Sequence, residues 1–229
     1  MSPGPEIHET TVVRDCSSPL HGVPHDRQYR VTVPILGALS AALAMVTGGC
    51  SDLTMPGDTL LGTDELLILA MQAEAPQPLS TSFWVYNSRQ TVQRLSHPDA
   101  QLIPFLELTF PGGCLASLNG NPLAGNDSAL VTVDPWHRQY GFTLSPPGLS
   151  FNASSPLTAK FFFGFYADAS VADQSGKYVS QREYAAALEI WHEITVAQWQ
   201  TAKGSGPAGI DAVAATVAAT GDYVLAAPR

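Results

Sequence analysis

Residues 105–113 read Phe105-Leu106-Glu107-Leu108-Thr109-Phe110-Pro111-Gly112-Gly113, and this stretch decides the fold. Leu108 and Phe110 fall on one face of an extended chain, and Glu107 and Thr109 fall on the other. A period of two marks a strand with one buried face, and the Pro-Gly-Gly that follows ends it. The same texture recurs on both sides. Phe83-Trp84-Val85-Tyr86 and Thr91-Val92-Gln93-Arg94-Leu95 come before it, split at Asn87-Ser88. Ala129-Leu130-Val131-Thr132-Val133, Tyr140-Gly141-Phe142-Thr143-Leu144 and the aromatic run over 157–166 come after it. Leu118-Asn119-Gly120-Asn121-Pro122 and Pro146-Pro147-Gly148 are turn clusters between them. Short strands, regular turn signals and little helical periodicity predict an all-β fold, an antiparallel β-sandwich over residues 82–229. Alternation places Leu108, Phe110, Val131, Phe142, Leu149, Phe151 and Leu225 inward. A proline followed by Gly148 predicts a type II turn with positive φ at the glycine.

Two later segments are less regular. Tyr184, Leu188 and Trp191 have helical spacing, but the β-branched residues after Leu188 favor a strand there. Gly221-Asp222-Tyr223-Val224-Leu225-Ala226 reads as the last strand, with 211–219 expected as its sheet neighbor.

Upstream, Arg27-Gln28-Tyr29-Arg30 precedes an uncharged run from Val31 to Ser51 that contains Thr47-Gly48-Gly49-Cys50. Basic residues, an apolar center at 35–46, small residues and then a cysteine resemble a bacterial lipoprotein signal peptide. Thr47 stands where such signals usually carry leucine. A run of this length is also long enough to span a bilayer, although Pro34 and Gly37 make it a mediocre membrane helix. The resemblance implies a signal over residues 27–49, cleavage before Cys50 and lipid on that cysteine. The protein would then be membrane-anchored in a bacterial cell envelope, at the outer membrane or the periplasmic face. Residues 1–26 are mixed in charge and Pro-rich. They read as a disordered or mis-annotated extension outside the fold. Residues 50–81 read as a flexible leader broken by Pro56, Gly57, Gly62, Pro76 and Pro78. Within it Thr63-Asp64-Glu65 opens a short helix or a buried strand over Leu66-Leu67-Ile68-Leu69-Ala70-Met71.

Removing the four acids and three bases before Cys50 leaves 16 acidic residues against 8 basic ones. Such a surface argues against nucleic acid, whose phosphates need clustered Lys and Arg. Cys114 is the one cysteine left besides Cys16 and Cys50, so it reads as a small buried hydrophobe.

Four blocks carry a further resemblance. They are Leu108-Thr-Phe-Pro-Gly-Gly-Cys-Leu115, Leu130-Val-Thr-Val133, Leu144-Ser-Pro-Pro-Gly-Leu-Ser-Phe151 and Pro156-Leu-Thr-Ala-Lys-Phe161. Together they resemble the ZU-five-like domain, an Ig-like β-sandwich module of netrin receptors and ankyrins. The resemblance is strongest over residues 106–163 and rests on turn and core positions. It implies an interaction or scaffolding role without catalytic residues or cofactor. The expected partners are the membrane, through the lipid, and an envelope protein or glycan.

Candidate chemistry is sparse. His192-Glu193 lacks the second histidine of a zinc-protease helix, since position 196 is Val. His97 and His137 sit beside Pro98 and Trp136 and read as ordinary surface histidines. Asp168, Asp173 and Ser175 gather oxygens in a loop without EF-hand spacing, and this reads as a solvated turn. Aromatics mostly fill sandwich cores. Trp136 and Trp191 sit among polar or charged neighbors and are the candidate ligand contacts.

Overall fold

A computed structural model describes residues 60–229. Eleven main strands carry the fold. They are β1 (Leu66–Ile68), β2 (Thr81–Tyr86), β3 (Thr91–Ser96), β4 (Pro104–Phe110), β5 (Ser128–Pro135), β6 (Gly141–Ser145), β7 (Leu157–Phe162), β8 (Glu189–Thr195), β9 (Gln198–Thr201), β10 (Ala212–Val217) and β11 (Gly221–Pro228). One sheet runs Leu61–Gly62, β9, β8, β11, β6, β5, β2, with β1 added on the end of β11. The other runs Gly206–Pro207, β10, β7, β4, β3. Every strand pair in both is antiparallel. The protein is an all-β antiparallel sandwich, as the alternation predicts.

The inner faces meet in one apolar core. Leu108, Phe110, Val131, Phe142, Leu149, Phe151 and Leu225 all lie in it, so the period-two reading gives the correct phase on each strand. Aromatic rings cross between the sheets. Phe83 meets Phe110 edge-on at 5.7 Å, and Phe142 meets Phe161 at 5.6 Å. Cys114 is fully buried, and burial pushes its thiol up to about 11. The strand reading after Leu188 holds in β8, which follows a one-and-a-half-turn helix, Gln181–Ala186, capped by Ser180.

Two expectations are corrected. The described part of the supposed leader, from Leu61 onward, is part of the sandwich. Thr63–Glu65 is a short 3-10 turn, and β1 pairs with β11 through Ala226↔Ile68, Ala227↔Leu67 and Pro228↔Leu66. Leu67 and Leu69 enter the main core, while Leu66 packs on the opposite face of the sheet. A strand buried on both faces shows a continuous apolar run instead of alternation. The folded unit therefore starts before residue 82, and the prolines at 76 and 78 lie in an ordered connection. Arg138 holds that connection by donating to the carbonyls of Gln72, Ala73 and Ala75, and Gln77 Nε2 donates to the Trp136 carbonyl at 2.9 Å. The second correction concerns 211–219. Strand β10 pairs with β7 in the sheet opposite β11. The three-residue link Ala218–Thr220 and Gly221, at φ +143°, carry the chain across the sandwich instead of through a hairpin.

The Pro146–Leu149 turn has the expected geometry. Gly148 has φ +77°, and Leu149 N–H donates to the Pro146 carbonyl at 3.4 Å. A Cβ at Gly148 would also lie 2.3 Å from Asn119 Oδ1. Asn119 N–H donates to the Gly148 carbonyl at 2.9 Å, so the neighbor is tied to the turn it would have to vacate. Gly148→Val should cost about 1–3 kcal/mol from backbone strain, with the clash adding to it. Thermal or urea melting checks this, and an unchanged midpoint contradicts the turn assignment.

Candidate functional site

Strand β2 ends its sheet and is hydrogen-bonded to β5 alone among the described residues. Its alternation sends Phe83 and Val85 inward and leaves Ser82, Trp84 and Tyr86 outward. Trp84 is 53% exposed and Tyr86 is 36% exposed. Register places Leu130 directly across from Trp84, and Leu130 is itself 48% exposed. The next cross-strand pair is polar, with the hydroxyls of Ser82 and Thr132 2.7 Å apart. At the other end the Arg89 guanidinium lies 4.5 Å from the Tyr86 ring centroid. Two aromatics at i and i+2 on a strand stand roughly 7 Å apart. The stripe thus offers apolar ring area flanked by hydroxyls and a guanidinium. Such a surface stacks on the C–H faces of sugars and hydrogen-bonds to their hydroxyls.

The two tryptophans singled out in the sequence behave otherwise. Trp191 is only 3% exposed, and its Nε1–H donates to the Ala226 carbonyl at 3.2 Å. It packs with Leu66, Trp199, Val224 and Ala226 in a second apolar cluster. Trp136 is half-buried against that cluster, meets Trp199 edge-on at 6.0 Å and donates to Thr143 Oγ1 at 3.1 Å. Gly141 makes room for it, since a Cβ there would lie 3.0 Å from the Trp136 ring. The polar neighbors of Trp136 belong to a turn, and Leu61, Leu66 and Ile68 supply apolar cover to both tryptophans. Trp191 is thus a packing residue, and Trp136 closes the rim of the same cluster. Cys50 lies outside the described residues. The 168–176 loop turns on itself: Asp168 caps a 3-10 helix over Ala169–Gln174, accepting from Ser170 N–H at 3.0 Å. No group of three or more metal-ligating side chains occurs among the described residues.

His97 is also corrected, from a surface histidine to a fully buried one. Its Nδ1 lies 2.7 Å from the Pro76 carbonyl. A carbonyl only accepts, so Nδ1 carries the hydrogen and the neutral ring has a bare lone pair on Nε2. Nε2 is buried and has no partner among the described residues. The ring is flanked by Phe105 at 5.6 Å and Tyr166 at 4.6 Å, and Tyr166 donates its hydroxyl to Asp99 Oδ2 at 2.6 Å. That hydroxyl holds the Asp99 carboxyl below its usual range and Tyr166 above the usual phenol range. The ring lines a cavity of about 280 Å³ that also touches Tyr140, Phe162, Phe165 and Asp211. Nothing local in Ser96-His97-Pro98 signals this burial, which comes from contacts with residues 76, 105 and 166. The strand texture at Phe83–Tyr86 was legible, and a strand puts Trp84 and Tyr86 on one face. It could not say which face was open, because both faces are apolar.

No protein-family model matches this chain, and no curated protein matches it.

Burial lowers the pKa of His97, with the Pro76 hydrogen bond and Asp99 opposing the shift. Burial lowers His192 too, with Asp222 opposing. A base whose folded pKa is lowered takes protons more readily when unfolded. Its contribution to stability is present above the unfolded value of 6.5 and is lost as pH falls below it. Urea midpoints should therefore fall between pH 8 and pH 5.5, and the drop should be smaller in His192→Gln. An equal drop in that variant contradicts the assignment.

Proposed function

We propose that this protein is a lipid-anchored, non-catalytic binding module of a bacterial cell envelope, and that it contacts an envelope glycan through the outward face of β2. The observation that carries the reading is the exposed Trp84–Tyr86 pair on a sheet edge, with Leu130 beside it. Large apolar rings gain most of their free energy from burial, so leaving several together in water is unfavorable unless a partner covers them. Ser82, Thr132 and Arg89 around the stripe match the mixed apolar and hydroxyl character of a sugar chain. The anchor reading is supported by Arg27, Arg30, the uncharged run and Cys50. Lipid chains on Cys50 supply about 0.8 kcal/mol per buried methylene, and more than one chain is needed for stable attachment. The ZU-five-like turn and core blocks agree with an interaction role. A purely structural scaffold is the second reading, and it would not require an open aromatic stripe.

The full chain should co-sediment with purified cell-wall polysaccharide of its host. Trp84→Ala should weaken that binding by roughly tenfold, the scale of one aromatic contact. Cys50→Ala should abolish lipid labeling and leave polysaccharide binding intact. Binding that ignores Trp84→Ala would overturn the surface assignment, and a mature Cys50 without lipid would overturn the anchor.

A further inference from the structure

The cavity beside His97 belongs to neither the β2 stripe nor the Trp136–Trp191 cluster. Its walls come from the start of β4, the end of β7 and the loops that carry His97, Tyr166 and Asp211. At about 280 Å³ it sits just below the usual range for ligand pockets, so it takes a small molecule. Phe165 stands at its rim 59% exposed and Ile210 94% exposed.

The charge at the wall has one sign. His97 keeps a bare Nε2 because Nδ1–H is committed to Pro76, but that atom is buried behind the wall. The Tyr166 hydroxyl hydrogen is committed to the Asp99 carboxylate, so this ring brings no free donor. Asp211 brings a carboxylate to the mouth. Gly164 leaves it room, since a Cβ there would lie 2.6 Å from Asp211 Oδ2. Among the described residues no lysine or arginine lines the cavity. The walls thus supply acceptors and negative charge, and Phe162, Phe165, Tyr140 and Tyr166 supply π faces. A cation is attracted to both, and an ammonium also donates hydrogen bonds to the acceptors.

We propose that this cavity binds a small organic amine as its ammonium ion, held between Asp211 and the rings of Phe165 and Tyr166. An anion would meet the Asp211 carboxylate without a counter-charge. A neutral molecule would leave that carboxylate without one. The site is independent of glycan binding at β2, so failure of either assignment leaves the other standing.

Calorimetric titration of the full chain with benzylamine tests the proposal, with benzyl alcohol as the neutral analogue of the same shape. Benzylamine should bind at least about tenfold tighter than benzyl alcohol, the scale of one charge-assisted hydrogen bond. Asp211→Asn should erase that difference. Asparagine keeps the shape of the side chain and tolerates the positive φ at this position, +49°. Phe165→Ala removes an exposed ring, leaves the core intact and should weaken benzylamine binding in the same assay. No benzylamine binding at millimolar concentration, equal binding of the alcohol, or affinity unchanged in both variants would each overturn the assignment.

Discussion

A file of eight aromatic rings holds this sandwich together. It begins at Phe165 on the surface and passes through Tyr166, His97, Phe105, Phe161, Phe142 and Tyr223 to His192. Successive centroids lie between 4.3 and 5.7 Å apart. The step from Phe161 on β7 to Phe142 on β6 crosses from one sheet to the other. Large rings bury more apolar area than any other side chains, and edge-on or offset contacts add to that burial. The file therefore fixes both the spacing of the sheets and their lateral position. Its later rings also show why the polar groups at its ends are constrained. Tyr223 stacks on Phe142 at 15° and on His192 at 6°, while its hydroxyl reaches out to the Ala219 carbonyl at 2.7 Å.

Two imidazoles lie in this file, and both are kept toward the neutral form by burial. His97 has the further task of tying the N-terminal connection to the core through Pro76. That bond works together with Arg138, whose guanidinium gathers three carbonyls of the same connection, and with Gln77, which clasps the Trp136–Arg138 turn from the other side. The connection runs from Gln72 to Ser80 without regular structure, yet the N–H groups of Gln72 and Ala75 and the carbonyls of Gln72, Ala73, Ala75 and Pro76 are paired. An ordered loop of this kind must satisfy its polar groups by side chains when no ladder is available. The consequence for the site is direct. Fixing Nδ1–H on Pro76 is what leaves Nε2 without a donor behind the wall of the cavity.

The sheets were legible because their strands alternate. Leu106 to Phe110, Ala129 to Val133 and Phe142 to Ser145 each bury one parity and were assigned to the correct face. The Pro146–Gly148 turn was legible for a similar reason, since positive φ leaves a mark in local composition. The N-terminal strand was legible only as one of two readings, helix or buried strand, because Leu66, Leu67 and Leu69 are buried on two different faces and the alternation vanishes. Trp191 misled for a related reason. Strand neighbors such as Glu189 and Glu193 are polar at the sheet surface, but a second apolar cluster built from distant residues covers the tryptophan. The partner of β10 was hidden as well. Adjacent strands in sequence are usually neighbors in space, and the short crossover at Ala218–Thr220 breaks that tendency. The burial of His97 arises from three separate segments and has no local signature.

The state of His97 decides most directly whether this account is correct. Nitrogen-15 NMR of the imidazole rings in the full chain distinguishes a protonated ring nitrogen from a bare one. The structure predicts a neutral His97 with hydrogen on Nδ1 and a bare Nε2, persisting as pH falls past the range where a free histidine charges. Hydrogen on Nε2, or a His97 that titrates like a solvated side chain, would contradict the buried ring, its bond to Pro76 and the cavity wall built on them.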